Sequence, residues 1–143
     1  MGFLDLNNPK KSEQKKYKMF HAYYLLGHPS VAGTNFYVNI ILWDDKMTVY
    51  TAFQKGFIGH YPVKAEEKYK LFDLPYEKIG SIGGNGSHLI VTAIGHDKSG
   101  GKRYIPIEFT IHERINGEPN KYICNQIKSA LDKEINTRNE ITI

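Results

Sequence analysis

The sequence predicts a mainly β domain with one C-terminal helix, an antiparallel barrel or sandwich, and three observations carry the prediction. Stretches of period-2 alternation recur along the chain and are joined by short turns, with no helix between them. The composition suits strands and turns: aromatics make up 13%, ten residues are tyrosine, thirteen are glycine and six are proline. The one convincing helical stripe comes last, with Ile123, Ile127, Ala130, Leu131 and Ile135 at spacings of three and four. A chain of 143 residues is one domain's worth and long enough to bury a real core.

In order, residues 1–20 read as a basic N-terminal tail and residues 21–143 as the domain. The tail starts apolar with Phe3, Leu4 and Leu6 and breaks at Asn7-Asn8-Pro9. Lys10, Lys11, Lys15, Lys16 and Lys18 then stand against Asp5 and Glu13. An apolar tip followed by a polybasic run is the chemistry of contact with an anionic membrane surface. Those eight residues, Phe3, Leu4, Leu6 and the five lysines, are therefore candidate membrane contacts. Met1-Gly2 opens a myristoylation pattern, but Leu6 stands where that motif wants Ser or Thr.

The first strand is expected at His21–Leu26, closed by Gly27-His28-Pro29. Asn35–Trp43 and Lys46–Phe53 flank the Asp44-Asp45 turn and make the clearest hairpin. Gly56, Gly59 and Pro62 mark a long irregular connection. Lys68–Leu74 is a shorter, more polar strand, and Tyr76–Ile82 is ambiguous between a helical turn and a strand. Gly83 to Ser87 is a tight turn, His88–Gly95 a strand and Asp97–Gly101 a hairpin turn. The last strand runs over Lys102–Glu113, with Ile105, Ile107, Phe109 and Ile111 on its inward side. Asn116-Gly117 breaks the chain, and Pro119 fits the first turn of the helix.

Several of these features together resemble the pleckstrin-homology (PH)-like superfold, and within it the bacterial PH-like and GRAM-like domains. They are Tyr24-Leu25-Leu26-Gly27-His28-Pro29, the hairpin through Trp43-Asp44-Asp45-Lys46, Phe72-Asp73-Leu74-Pro75-Tyr76-Glu77-Lys78-Ile79, and the strand–helix pair at the end. The resemblance spans residues 21–136. It implies a strongly bent antiparallel barrel of about seven strands, capped at one open end by the C-terminal helix. Phosphoinositide-binding members carry clustered Lys and Arg in the loop between the first two strands. Here His28 to Thr34 has neither, so that site is not expected.

No catalytic or cofactor constellation emerges, and no cofactor is expected. Cys124 is the only cysteine, which excludes an intramolecular disulfide and a cysteine-based zinc site. The histidines at 21, 28, 60, 88, 96 and 112 lack metal-ligand spacing. Gly80 to Gly86 and Gly95 to Arg103 approach phosphate-loop patterns but lack the strand-before, helix-after context, and read as turns. Asp44-Asp45 and Glu66-Glu67 fall in turns and loops, too wet for acid–base work.

Net charge is +4, with +3 in residues 1–20, none in 21–60, +2 in 61–103 and −1 in 104–143. The excess sits in the flanking tail, so a nucleic-acid face is not expected. Lysines at Lys68, Lys70 and Lys102 read instead as edge-strand protection. No cationic segment precedes a long apolar run, so no secretory signal is read and a cytoplasmic location is expected. The expected function is a non-catalytic interaction module that binds a protein partner or self-associates. The alternative is a peripheral module that meets membranes through its basic tail.

Overall fold

Strands form where the sequence alternates, and in two places where it does not. The computed structural model describes the backbone of residues 16–141 and the side chains of residues 18–137. Among them the order is β1 (Lys16–Leu26), β2 (Phe36–Trp43), β3 (Lys46–Thr51), β4 (Phe53–Gly56) and β5 (Gly59–Pro62). After these come β6 (Lys70–Pro75), β7 (Ile79–Gly83), β8 (His88–His96), β9 (Lys102–His112) and the helix α1 (Lys121–Ile141). Seven strands make one sheet in the order β6-β3-β2-β1-β9-β8-β7, every neighbour antiparallel. The sheet curls into a half-barrel with α1 packed against β7, β8 and β9, a mainly β fold with one C-terminal helix.

The core is the inner face of that curl. Phe20, Ala22 and Tyr24 on β1, Val38, Ile40 and Leu42 on β2, and Ile107, Phe109 and Ile111 on β9 are all buried, each at every second position. From α1, Cys124, Ile127 and Leu131 have no exposed surface. The helical stripe is thus rotated slightly from its expected course: Cys124 is a full core residue and Ile123 packs at its margin. Burial raises the Cys124 thiol pKa, and the nearby Lys128 charge only partly opposes the shift.

Three boundaries differ from those read off the sequence. β1 begins at Lys16, five residues before His21, and so crosses the boundary drawn at residue 20. The reason is tertiary: Phe20 is buried in the core, residues from Lys16 on pair with β2, and Lys18 Nζ donates to Gln126 Oε1 at 2.9 Å. Pro119 lies outside the helix and bridges back to His112. Asn120 caps α1 instead, its Oδ1 accepting from the N–H groups of Tyr122 (3.0 Å) and Ile123 (2.9 Å). Tyr76–Ile82 resolves into both options, a single 3-10 turn at Tyr76–Lys78 followed by β7.

Gly27 has a specific task. β1 bulges against β9 between Tyr24 and Leu26, which brings Gly27 (φ +124°) so close that a Cβ there would fall on the Pro106 carbonyl oxygen. The loop that follows is pinned by His28. Its ring stacks on Phe72 at 3.9 Å, its Nδ1 accepts from the Ser30 N–H at 3.1 Å, and its own N–H donates to Tyr24 Oη at 2.8 Å. Burial lowers the imidazole pKa, in keeping with a neutral acceptor.

The β6 edge is latched by a polar chain. Trp43 Nε1 donates to Thr48 Oγ1 (2.9 Å), Thr48 Oγ1 donates to Asp73 Oδ1 (2.7 Å), and Lys70 Nζ donates to Asp73 Oδ2 (3.0 Å). Tyr76 Oη closes the corner on the Trp43 carbonyl at 2.6 Å. Burial alone would raise the Asp73 pKa. The hydrogen bonds from Thr48 and Lys70, with the charges of Lys46 and Lys70, hold it below the usual carboxylate value.

Two outcomes follow for stability. Leu131→Ala, at a site with no exposed surface, should cost about 2–5 kcal/mol in chemical denaturation; an unchanged midpoint would mean that α1 is not docked. Because the folded Asp73 pKa is depressed, its contribution is present at neutral pH and is lost as pH falls through that folded value. Asp73→Asn should therefore cost about 1–3 kcal/mol at neutral pH and flatten the acid limb of the stability curve. Parallel curves for the two proteins would contradict the latch.

Candidate functional site

Alternation that buries one face of β1 and β2 turns the other outward. Met19, His21 and Tyr23 on β1 lie beside Ile41, Asn39 and Tyr37 on β2, in antiparallel register. These outer residues would ordinarily be wet, yet Asn39 and Ile41 are buried. The cover is the segment between β3 and β6. The Ala52 N–H donates to the Tyr37 carbonyl and the Val63 N–H to the Ala52 carbonyl, both at 3.0 Å. Those two bonds pin the base of a separate two-stranded hairpin, β4–β5, to the outside of the sheet. The connection expected to be irregular is therefore a second small sheet.

Opposite the hairpin stands the loop after β9. Its turn closes with the Gly117 N–H on the Arg114 carbonyl at 2.9 Å, with Asn116 in the left-handed region (φ 63°). His112 fixes this loop by donating from Nδ1 to the Gly117 carbonyl at 2.7 Å. Between the two walls lie two clefts, of about 690 Å³ over Tyr23 and Tyr37 and about 480 Å³ over His21 and Asn39. Successive outward pairs of β1 and β2 floor them, so the two clefts lie side by side along the strands as a two-part groove.

The floor is aromatic at one end and mixed at the other. Tyr23 and Tyr37 meet edge to face at 4.9 Å, and Tyr37 lies 5.5 Å from His112 and 6.3 Å from Phe53. Tyr23 Oη is tied to the Asn35 carbonyl at 2.8 Å. Toward the other end, Asn39 Oδ1 accepts from His21 Nδ1 at 2.7 Å, beside Met19, Ile41, Val63 and Ile115. Such a surface offers ring edges, apolar patches and polar groups already held in place, which is the make-up of a recognition surface.

The hairpin ends on the most exposed apolar pair among the described residues. Phe57 and Ile58 have relative exposures of 104% and 96%. They form a two-residue loop between the paired Gly56 and Gly59, a place where Asn, Asp or Gly ordinarily sits. Turn chemistry does not ask for them, and the core does not use them. Lys55 and His60 flank the loop and are exposed.

The other sequence candidates fall as follows. Phe3, Leu4, Leu6, Lys10, Lys11 and Lys15 lie outside the described residues. Lys16 and Lys18, expected in the tail, are in β1. Gly95 to Arg103 is the β8–β9 turn, where Asp97 Oδ1 accepts from the Ser99 and Gly101 N–H groups at 3.0 and 2.8 Å. Asp45, Glu66 and Glu67 are exposed. Among the described residues no three of His, Cys, Asp and Glu are grouped as metal ligands, and no helix is long and apolar enough to cross a membrane. The groove itself escaped sequence reading, although two glycines bracketing two residues at 56–59 is the spacing of a tight hairpin.

No family model matches this chain, and no curated protein matches it in sequence. Among solved structures, it is similar to the complex of PDZ-RhoGEF DH/PH domains with GTP-gamma-S activated RhoA. That likeness covers 93% of this chain at 12% identity, with a TM-score of 0.48. The chain spans 35% of the length of that neighbour.

Since Phe57 and Ile58 touch no core, Phe57→Ser with Ile58→Ser should shift stability by no more than about 0.5 kcal/mol. A large loss in thermal or chemical unfolding would show that the tip supports the fold.

Proposed function

We propose that this chain is a non-catalytic interaction module that binds a protein partner or a second copy of itself. The observation that carries the reading is the β4–β5 hairpin, which leaves the main sheet and presents Phe57 and Ile58 fully to solvent. Exposed apolar groups that serve neither turn nor core are the usual anchors of an interface, where a few large side chains supply most of the affinity. A half-barrel closed by a helix suits an interaction role, and in this reading the chain is a domain of the bacterial PH-like or GRAM-like kind, which its sequence features resemble. A cytoplasmic site of action belongs to the same proposal.

One observation also favours a second reading. An apolar tip beside Lys55 has the composition of a membrane-surface contact, and Phe3, Leu4, Leu6 and the tail lysines have it too. Lysines near an anionic surface contribute about 1 kcal/mol each. Screening limits their reach to about 8 Å at physiological salt. This mode is therefore weak and is released by salt.

A photo-crosslinking amino acid placed at position 57 separates the two readings. The protein-binding reading expects a protein adduct in cells that is absent when the same probe replaces the exposed Lys98. Crosslinks to lipid alone, with salt-sensitive sedimentation on phosphatidylserine vesicles that is lost on removing residues 1–15, would replace it by the membrane reading.

A further inference from the structure

The groove has a one-sided chemistry. No Asp or Glu lines either cleft, whereas Lys55, Lys64, His21 and His60 do. Both lysines are exposed, one on the hairpin and one on the segment leaving it, so their ammonium groups stand at the rim. The floor between them is apolar and aromatic: Met19, Ile41 and Val63 toward one end, Tyr23, Tyr37 and Phe53 toward the other. The run from Met19 to Tyr23 spans four strand steps, about 13 Å at roughly 3.3 Å per residue.

Resting on the reading of this chain as a protein-binding module, we propose that the groove holds an extended acidic segment of a partner protein, with carboxylates alternating with apolar side chains. In an extended chain successive side chains point to opposite sides. Apolar groups then enter the cleft over Tyr37 and Ile41, and the intervening carboxylates meet Lys55 and Lys64 at the rim. The chain's own N-terminal segment is disfavoured by charge, because residues 1–15, which precede β1, carry net +1 and would bring Lys10, Lys11 and Lys15 toward lysines. A bilayer surface does not enter a groove walled on one side by β4–β5 and on the other by the loop at Asn116. Single-stranded nucleic acid wants exposed ring faces for stacking. Tyr23 and Tyr37 are committed edge to face to each other at 78° between planes.

The test uses the whole chain and short capped peptides of alternating glutamate and valine, lysine and valine, or glutamine and valine. Binding is followed by amide chemical shifts and fluorescence anisotropy. The glutamate peptide should shift the amides of His21, Tyr23, Tyr37 and Asn39 saturably. Charge reversal in Lys55→Glu with Lys64→Glu should weaken it by about tenfold, since like charges then face each other across the rim; Lys55→Gln should weaken it less, and in the same direction. Equal binding of the lysine or glutamine peptide, or shifts confined to other faces, would overturn the proposal. So would stronger perturbation of the same amides by oligothymidylate or by phosphatidylserine vesicles. Failure here with the protein adduct at position 57 retained removes only the groove assignment. Loss of that adduct removes the protein-binding reading beneath it.

Discussion

A sheet that curls must have its concave side filled, and the structure depends on that requirement. Seven antiparallel strands bring alternate side chains from β1, β2, β8 and β9 into one apolar interior, but the curl leaves an end uncovered. α1 covers it with Cys124, Ile127, Leu131 and Ile135. The hydrophobic effect scales with apolar area removed from water, so the helix is part of the core and not an appendage to it. The Asn120 cap, the Lys18–Gln126 bond and the Lys128 Nζ bond to the Gly84 carbonyl at 2.7 Å then fix its direction. With the interior closed in this way, the outer face of β1 and β2 is needed by the fold only for the Tyr23–Tyr37 contact and where β4–β5 leans on it.

That division explains the distribution of apolar residues. Inside, every large side chain has a partner. Outside, the hairpin tip and the groove floor hold aromatic and aliphatic groups that the fold does not consume. Folding and the proposed recognition thus use opposite faces of the same two strands, since the period of two separates Ala22 and Tyr24 from His21 and Tyr23. A one-residue slip of β1 against β2 would exchange the two faces. The register is held by the Tyr23–Tyr37 contact outside and by the Tyr24–Phe36 contact at 5.3 Å inside.

Most of the fold was legible because its signals are local. Alternation in Tyr104–His112 and spacing in Ile127–Ile135 place a strand and a helix without any tertiary knowledge. The start of β1 was not legible, because the positions in phase with the buried Phe20, Ala22 and Tyr24 are Lys16 and Lys18, which read as part of a charged tail and are held in strand by β2 and α1. The helix start was misplaced by two residues: Pro119 satisfies the local rules of an N1 position, but the Asn120 side chain caps a helix that begins at Lys121. The site was mostly hidden. His21 and Asn39, or Tyr23 and Tyr37, sit far apart in sequence and become neighbours only through register, while β4 and β5 are four residues each and bury little. Gly56 and Gly59 were visible in the sequence but read as part of an irregular connection, because a two-residue turn is not expected to hold Phe and Ile.

The central claim is that β4–β5 is an interaction element built onto a domain that folds without it. The Val63 N–H already meets the Ala52 carbonyl, so residues 53–62 can be replaced by a short Gly-Ser link. The direct measurement is amide hydrogen exchange on that excised protein, alongside its binding to the glutamate–valine peptide. Unchanged protection in β1, β2, β9 and α1 together with lost binding is the predicted result. Collapse of core protection, or binding that survives the excision, would contradict the account.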